Sequence, residues 1–197
     1  WESYTVGERI SNSVIFGYLT ESTPCTEVLE SLAAQAQRLA GRLEYFKHTT
    51  GNHVVNNAHA LYLAHAGLGL RDARELALAV FRRELPVLIT KEGFLREGSS
   101  HYQFLFTRWI LEVYYFARKL QDNETQSLIK PWAERLVRRC HFFLAPDSDG
   151  NFDMPLFGDI SPDYTPHWLL GLPWCALTEG LPSPPWPAPD KGEGVLS

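Results

Sequence analysis

Hydrophobic positions recur every three or four residues in six segments of the chain, with short polar breaks between them. This spacing is typical of helices that bury one face. It predicts helices over residues 5–19, 26–48, 53–67, 72–89, 101–120 and 124–144. The connections are short, so successive helices should be antiparallel neighbours. No convincing strand pattern appears, and the predicted fold class is all-α, built from antiparallel helical hairpins.

Local signals place the ends of these predicted helices. Thr5-x-x-Glu8 has the spacing of a capping box for the first helix, and Asn123-x-x-Gln126 marks the start of the sixth. Pro131 is expected to kink or restart the sixth helix. An apolar stripe that runs unbroken to Phe46 favours a long second helix. Residues 51–67 have the periodicity of an ordinary amphipathic helix.

The character of the sequence changes after Pro146. Residues 147–165 are rich in loop-forming residues, and short helical pieces are expected around 166–178. Residues 182–189 hold five prolines in eight positions, which is typical of an extended linker. The predicted organisation is therefore a helical domain over 1–181 and a proline-rich linker or tail over 182–197.

Composition narrows the function classes. A chain of 197 residues can bury one sizeable core, and its net charge of −5 argues against a general nucleic-acid binder. No apolar stretch reaches the ~20 residues of a membrane span. The histidines lack zinc-ligand spacing and the acidic loop 147–153 departs from a calcium loop, so we expect no metal and no cofactor. The chain begins with Trp1, so we interpret it as a fragment or a mature product, and its compartment stays unknown from these features.

The helix predicted at 53–67 begins with an unusual group of polar residues, Asn52, His53 and Asn56. One explanation is structural: Asn52 caps the helix, His53 is a partly exposed turn residue, and Asn56 packs on a neighbouring backbone. The other explanation is functional. Amide and imidazole donors gathered at the positive end of a helix dipole can bind an anion such as a carboxylate.

A second polar group, Glu97 to Tyr102, precedes and opens the helix predicted at 101–120. Ser99 or Ser100 could cap that helix while Tyr102 joins the core. Alternatively, the Tyr102 phenol faces a cleft and transfers protons there. Tyr102 lies 50 residues after Asn52, and one helical hairpin separates their helices. Alternate helices in a ring of antiparallel hairpins start on the same rim, so the two polar groups should face one cleft.

Together these segments resemble a known family. "GRLEYFKHTTGNHVVNNAHALYLAHAG" followed by "GFLREGSSHYQFLFTRWILEV" is similar to the heparinase II/III-like polysaccharide lyases, as are the start "WESYTVGERISNSVIF" and the loop "DGNFDMPLFGDIS". The resemblance covers roughly residues 1–165. It implies an incomplete (α/α) toroid and cleavage of a uronate-containing acidic polysaccharide by β-elimination.

The resemblance also implies residue roles. Asn52 and His53 would bind the uronate carboxylate, and Tyr102 would protonate the leaving oxygen. Further candidates for substrate binding are Glu97, His101, Arg108 and Asp159. Fixed neutral donors suit this chemistry because negative charge grows on the carboxylate as the neighbouring proton leaves.

The family context implies a C-terminal β-sandwich domain in the parent chain, which would supply a further active-site histidine. The isolated 197-residue chain is therefore expected to be weakly active or inactive. The resemblance favours a bacterial protein of the periplasm or the secreted fraction.

Two other function classes stay open at this point. One is a glycoside hydrolase on a helical toroid, using Glu97 with Asp159 or Asp163 as paired carboxylates. The other is a catalytically silent carbohydrate-binding or scaffold domain. Elimination leaves an unsaturated sugar that absorbs ultraviolet light, whereas hydrolysis does not, so the products distinguish the enzymes.

Overall fold

A computed structural model describes residues 2–45, 51–146, 152–153, 158–160 and 177–181, and it confirms the all-α class. The helices are α1 (Ser3–Leu19), α2 (Thr26–Ala40), α3 (Asn52–Leu68), α4 (Arg71–Leu88), α5 (Ser100–Lys119) and α6 (Asn123–Cys140), with a 3-10 turn at His141–Phe143. One small antiparallel pair, β1 (Ala145–Pro146) and β2 (Phe152–Asp153), follows them. The sequence pattern did not indicate this pair.

Three antiparallel hairpins place α1, α3 and α5 side by side with a shared direction. The rings of Tyr4 in α1 and His53 in α3 lie 4.8 Å apart at the starts of their helices. The backbone N–H of Asn52 donates to Glu97, which lies three residues before the start of α5. The return helices α2, α4 and α6 pack outside this row. This is the layered arrangement of an (α/α) toroid, and it brings three helix starts to one rim.

Helix α3 is the centre of the fold, and the prediction that it is amphipathic is wrong. It packs against α1, α2, α4 and α5, so every residue from 54 to 64 is buried. Its inward polar side chains have polar partners, as burial requires. Asn56 donates to the Glu8 carboxylate, and His59 lies 2.7 Å from Glu112. Much of the polarity of α3 therefore serves the packing of the inner layer.

The first helix begins earlier than its sequence signal indicated. Thr5 lies inside α1, and Glu2 is the residue before the helix. The Thr5 hydroxyl donates to the Glu2 carboxylate at 2.9 Å. The predicted capping box from Thr5 to Glu8 is therefore wrong, and Glu8 instead points its carboxylate at Asn56.

The second helix ends at Ala40, well before the predicted residue 48. Gly41 follows it as the C-cap. Three residues later, Glu44 donates its backbone N–H to Oδ1 of Asn57 in α3 at 2.9 Å. That N–H is no longer available for a helical bond. Leu43 still packs on the core, which is why the apolar stripe continued past the helix. Residues 46–50 lie outside the described ranges.

The predicted serine cap of α5 is confirmed, whereas the predicted start signal of α6 is wrong by one residue. Ser99 caps α5 by accepting from the backbone N–H of Tyr102 at 3.1 Å, as expected. For α6, Asp122 accepts from the backbone of Thr125, so the cap is one residue before Asn123. Helix α6 continues through Pro131 without restarting and ends at Cys140 rather than 144.

The predicted domain boundary stays a prediction. Residues 166–176, expected to contain helical pieces, and the proline-rich segment 182–197 lie outside the described part of the chain. Within the described part, no helix combines the length and apolar character needed to cross a membrane.

A candidate active site at the starts of α3 and α5

A cleft of about 280 Å³ lies where α3 and α5 begin. It is lined by Gly51, Asn52, His53, Glu97, Tyr102 and Asp159. Five of the seven candidate residues from the sequence therefore meet in one place, although they span more than a hundred positions. The shared location agrees with the expected rim geometry, while the chemical roles of these residues stay predictions.

Asn52 is the first residue of α3, and Gly51 rather than Asn52 occupies the capping position. Its backbone N–H donates to Glu97 Oε1 at 3.0 Å, and its Nδ2 donates to Glu97 Oε2 at 2.7 Å. Glu97 therefore places a carboxylate at the positive end of the α3 dipole. The same contact fixes the Asn52 amide, which is buried at 4% exposure. An amide nitrogen carries two hydrogens, so one remains for a bound group.

His53 follows Asn52 on the open side of the cleft, with 41% of its side chain exposed. Its ring rests beside the ring of Tyr4. Its Nδ1 lies 3.5 Å from Glu44 Oε1. Glu44 was missed by the sequence analysis because it lies inside what was predicted to be a continuous helix. It gives His53 an acidic neighbour on one ring nitrogen.

Tyr102 lies in the first turn of α5 and is half-buried. Burial raises the pKa of its phenol, and the negative charges of Asp159 and Glu97 raise it further. A raised pKa favours the protonated phenol at neutral pH. The phenol at the cleft is therefore in the protonated form that a general acid requires.

Asp159 reaches the cleft because the chain at Gly158 passes directly against the start of α5. A Cβ at position 158 would lie 2.5 Å from the backbone oxygen of Gly98, and the φ of Gly158 is +75°. Only glycine fits both conditions without strain. The Ser99 hydroxyl donates to the backbone oxygen of Asp159, which attaches residues 158–160 to the α5 cap.

His101 and Arg108 were expected to contact substrate, but neither lines the cleft. His101 is 4% exposed and packs edge-on against Tyr102, with ring centroids 5.4 Å apart. Burial lowers its pKa, although Asp159 acts in the opposite direction. Arg108 faces inward and donates from Nε to Glu112 Oε1 at 2.7 Å. The helical period turns both side chains away from the face that carries Tyr102.

Beneath the cleft lies a buried ionic group that sequence analysis did not identify. Glu112 contacts Arg108 on one oxygen and His59, 2.7 Å away, on the other. Burial alone would raise the pKa of Glu112, but the charges of Arg108 and His59 outweigh burial and lower it. A glutamate four residues after an arginine in an otherwise apolar helix was the available signal. This group ties α3 to α5 directly behind the candidate site.

Of the paired carboxylates considered for a hydrolase, Glu97 and Asp159 both line the cleft. Asp163 lies outside the described residues. The described pair flanks Tyr102 and makes the cleft locally acidic.

Comparison with known proteins supports the architecture. A solved heparan sulfate lyase, HepC from Pedobacter heparinus, matches this structure with a TM-score of 0.58 at 22% sequence identity. The match covers 81% of this chain and 25% of the lyase chain, so the chain spans about a quarter of that enzyme. No protein-family model and no curated protein sequence matches the chain. The comparison and the helix arrangement agree on one point: this chain has a heparinase-like helical fold.

Proposed function

We propose that this chain is the helical part of a polysaccharide lyase that cleaves a uronate-containing acidic polysaccharide by β-elimination. The observation that carries the proposal is the cleft in which Asn52 and His53, from the start of α3, lie with Tyr102, from the start of α5. The resemblance of the same motifs to heparinase II/III-like lyases and the fold shared with a heparan sulfate lyase support it.

In this proposal Asn52 and His53 bind the uronate carboxylate. Glu97 accepts one hydrogen bond from the Asn52 backbone and one from its side-chain amide, which leaves the second amide hydrogen available to the bound group. As the proton next to the carboxylate leaves, negative charge grows on that carboxylate. A preorganised donor then stabilises the transition state by roughly 3–4 kcal/mol.

Tyr102 donates the proton in the second half of the reaction. A base removes the proton next to the carboxylate, the bond to the leaving sugar oxygen breaks, and a carbon–carbon double bond forms. The leaving oxygen takes its proton from Tyr102, whose phenol is protonated at neutral pH. The base is expected on the side of the C-terminal β-sandwich domain, where the resemblance implies a further histidine.

A glycoside hydrolase is the second candidate, and the shared location of Glu97 and Asp159 favours it. Hydrolysis needs one carboxyl group as acid and the other as base or nucleophile. However, both oxygens of Glu97 already accept hydrogen bonds from Asn52, which suits a positioning role better than proton transfer. We therefore place the hydrolase second and a catalytically silent binding domain third.

The test compares the longest natural polypeptide that contains this chain with the 197-residue chain alone. Each is incubated with heparan sulfate and with other uronate polysaccharides, and the ultraviolet absorbance of unsaturated product is followed. Tyr102→Phe should lower kcat by roughly 10²–10⁴-fold with little change in KM. Tyr18→Phe is the matched control, because Tyr18 bonds Tyr115 near the opposite ends of their helices.

Glu97→Gln provides the decisive contrast. Under the lyase proposal it should be milder than Tyr102→Phe, because the amide still accepts one hydrogen bond from Asn52. Degradation of polysaccharide without a rise in absorbance, with Glu97→Gln inactive, would replace the lyase by the hydrolase. Binding without degradation by any form would leave a carbohydrate-binding domain.

A further inference from the structure

Glu44 is an acidic residue next to the candidate site that no sequence motif pointed to. It lies in the loop after α2, and its side chain is 15% exposed. One carboxylate oxygen, Oε1, is 3.5 Å from Nδ1 of His53. The loop and the cleft are therefore joined by one side-chain contact.

Asn57 holds Glu44 in place through two hydrogen bonds. Asn57 Oδ1 accepts from the Glu44 backbone N–H at 2.9 Å, and Asn57 Nδ2 donates to Glu44 Oε2 at 3.1 Å. Asn57 itself is fully buried one helical turn after His53. Because the backbone and one carboxylate oxygen of Glu44 are both fixed, the other oxygen stays directed at His53.

We propose that Glu44 is a positioning residue which, held by Asn57, fixes the His53 ring and keeps the proton on Nδ1. A carboxylate can only accept hydrogen bonds, so the contact requires a hydrogen on Nδ1. The hydrogen bond made by one ring nitrogen determines the state of the other. The ring of Tyr4 supports the imidazole from the side.

The consequence is that Nε2 is the nitrogen left for the cleft. When the ring is neutral, Nε2 accepts hydrogen bonds; when the ring is protonated, Nε2–H donates to an anion. The use of Nε2 on a uronate carboxylate rests on the proposed function. The orientation of the His53 ring and the position of its proton are independent of the proposed function.

The test measures the tautomer of His53 by nitrogen-15 NMR on the 197-residue chain, at a pH where its ring is neutral. A His53→Gln variant identifies the signals of His53 by their loss. We expect the Nδ1–H form to be the majority tautomer in the unsubstituted chain. A majority of Nε2–H in that chain would overturn the proposal without any further variant.

Glu44→Gln should reverse the tautomer. Asn57 Nδ2 needs an acceptor, so the new amide oxygen turns toward Asn57 and its NH₂ group faces Nδ1 of His53. Nδ1 must then accept, and Nε2 carries the proton. Glu44→Ala should abolish the preference for Nδ1–H without imposing the reverse. Glu30→Gln, at an exposed position of α2, is the matched control and should change nothing.

The outcomes separate this proposal from the lyase proposal. Circular dichroism shows whether Glu44→Gln folds. If it folds and the tautomer of His53 is unchanged, the positioning role of Glu44 is refuted, whether or not ultraviolet-absorbing product forms. If the tautomer reverses but neither the 197-residue chain nor the longer natural polypeptide makes that product, the positioning role is supported and the lyase function is refuted.

Discussion

Asp122 is the centre of a hydrogen-bond network at the rim opposite the cleft, and replacing it tests the energetics of the fold. Its carboxylate accepts from Arg74 Nε at 2.8 Å and Nη2 at 2.7 Å, and from the Tyr62 hydroxyl at 3.0 Å. Thr125 donates to it through both its backbone N–H and its hydroxyl. The side chain is only 10% exposed, so these partners supply most of its hydrogen bonds. Four elements meet at this one group: α3, α4, α6 and the turn before α6.

We predict that Asp122→Asn destabilises the chain by about 3 kcal/mol, near the lower end for breaking a buried ion pair. The geometry explains the size. Arg74 donates to both carboxylate oxygens, so whichever way the new amide turns, its NH₂ group faces an N–H of Arg74. For a chain of this size, that loss corresponds to a fall in Tm of roughly 6–12 °C.

The effect should depend on pH. Burial alone would raise the pKa of Asp122, but the bonds from Arg74, Thr125 and Tyr62 hold it well below its usual range. A carboxyl whose pKa is depressed in the folded state stabilises the fold above its unfolded pKa of about 3.9 and loses that contribution as pH falls below it. The stability difference between Asp122→Asn and the unsubstituted chain should therefore shrink below about pH 4.

The assay is urea unfolding followed by circular dichroism at neutral and acidic pH. Asp72→Asn, at an exposed position in the first turn of α4, is the control and should leave Tm nearly unchanged. A loss below about 1 kcal/mol for Asp122→Asn would refute the reasoning, because exposed ion pairs contribute that little. A difference that does not vary with pH would refute the assignment to a charged carboxylate.

Three further predictions concern the cleft and its support. Glu112→Ala should cost about 3–5 kcal/mol in urea unfolding, since it removes the buried carboxylate that Arg108 and His59 both contact; a cost near zero would mean that the ion pairs contribute nothing. Gly158→Ala should cost about 1–3 kcal/mol by the same measurement, because its Cβ would press on the Gly98 carbonyl; an unchanged stability would mean that residues 158–160 do not dock there. Ultraviolet difference titration of the chain against Tyr102→Phe should show the Tyr102 phenol ionising above the usual pKa of ~10, and ionisation at or below it would contradict the acidic surroundings.

Local patterning was sufficient to indicate the helices of this fold, though not the short strand pair. The apolar period located the six α-helices of the described residues, since each must bury a stripe regardless of which neighbour covers it. Ser99 was identified as a possible cap because its hydroxyl acts on backbone three residues away. Interactions within a few residues are encoded locally and could be predicted locally.

Several predictions failed where a distant partner decided the outcome. Beyond the early end of the second helix at Ala40, the N–H of Glu44 donates to Asn57 rather than to a helical carbonyl. The amphipathic interpretation of α3 failed because four helices surround it, and period alone cannot distinguish one buried face from several. Asn56 was grouped with Asn52 and His53 in a possible anion site, yet its amide donates to the Glu8 carboxylate within the fold.

For the candidate site, the sequence alone predicted that Asn52 and His53, at one helix start, face the same cleft as Tyr102, at another. Only the tertiary structure decided what surrounds them. Glu97 bonds Asn52, Glu44 faces His53, and His101 packs against Tyr102 without lining the cleft. The physical reason is that a helix period fixes the direction of a side chain relative to its own axis, whereas its partner depends on how separate helices pack. The hydrogen bonds of this site join residues 9 to 45 positions apart, so they depend on that packing.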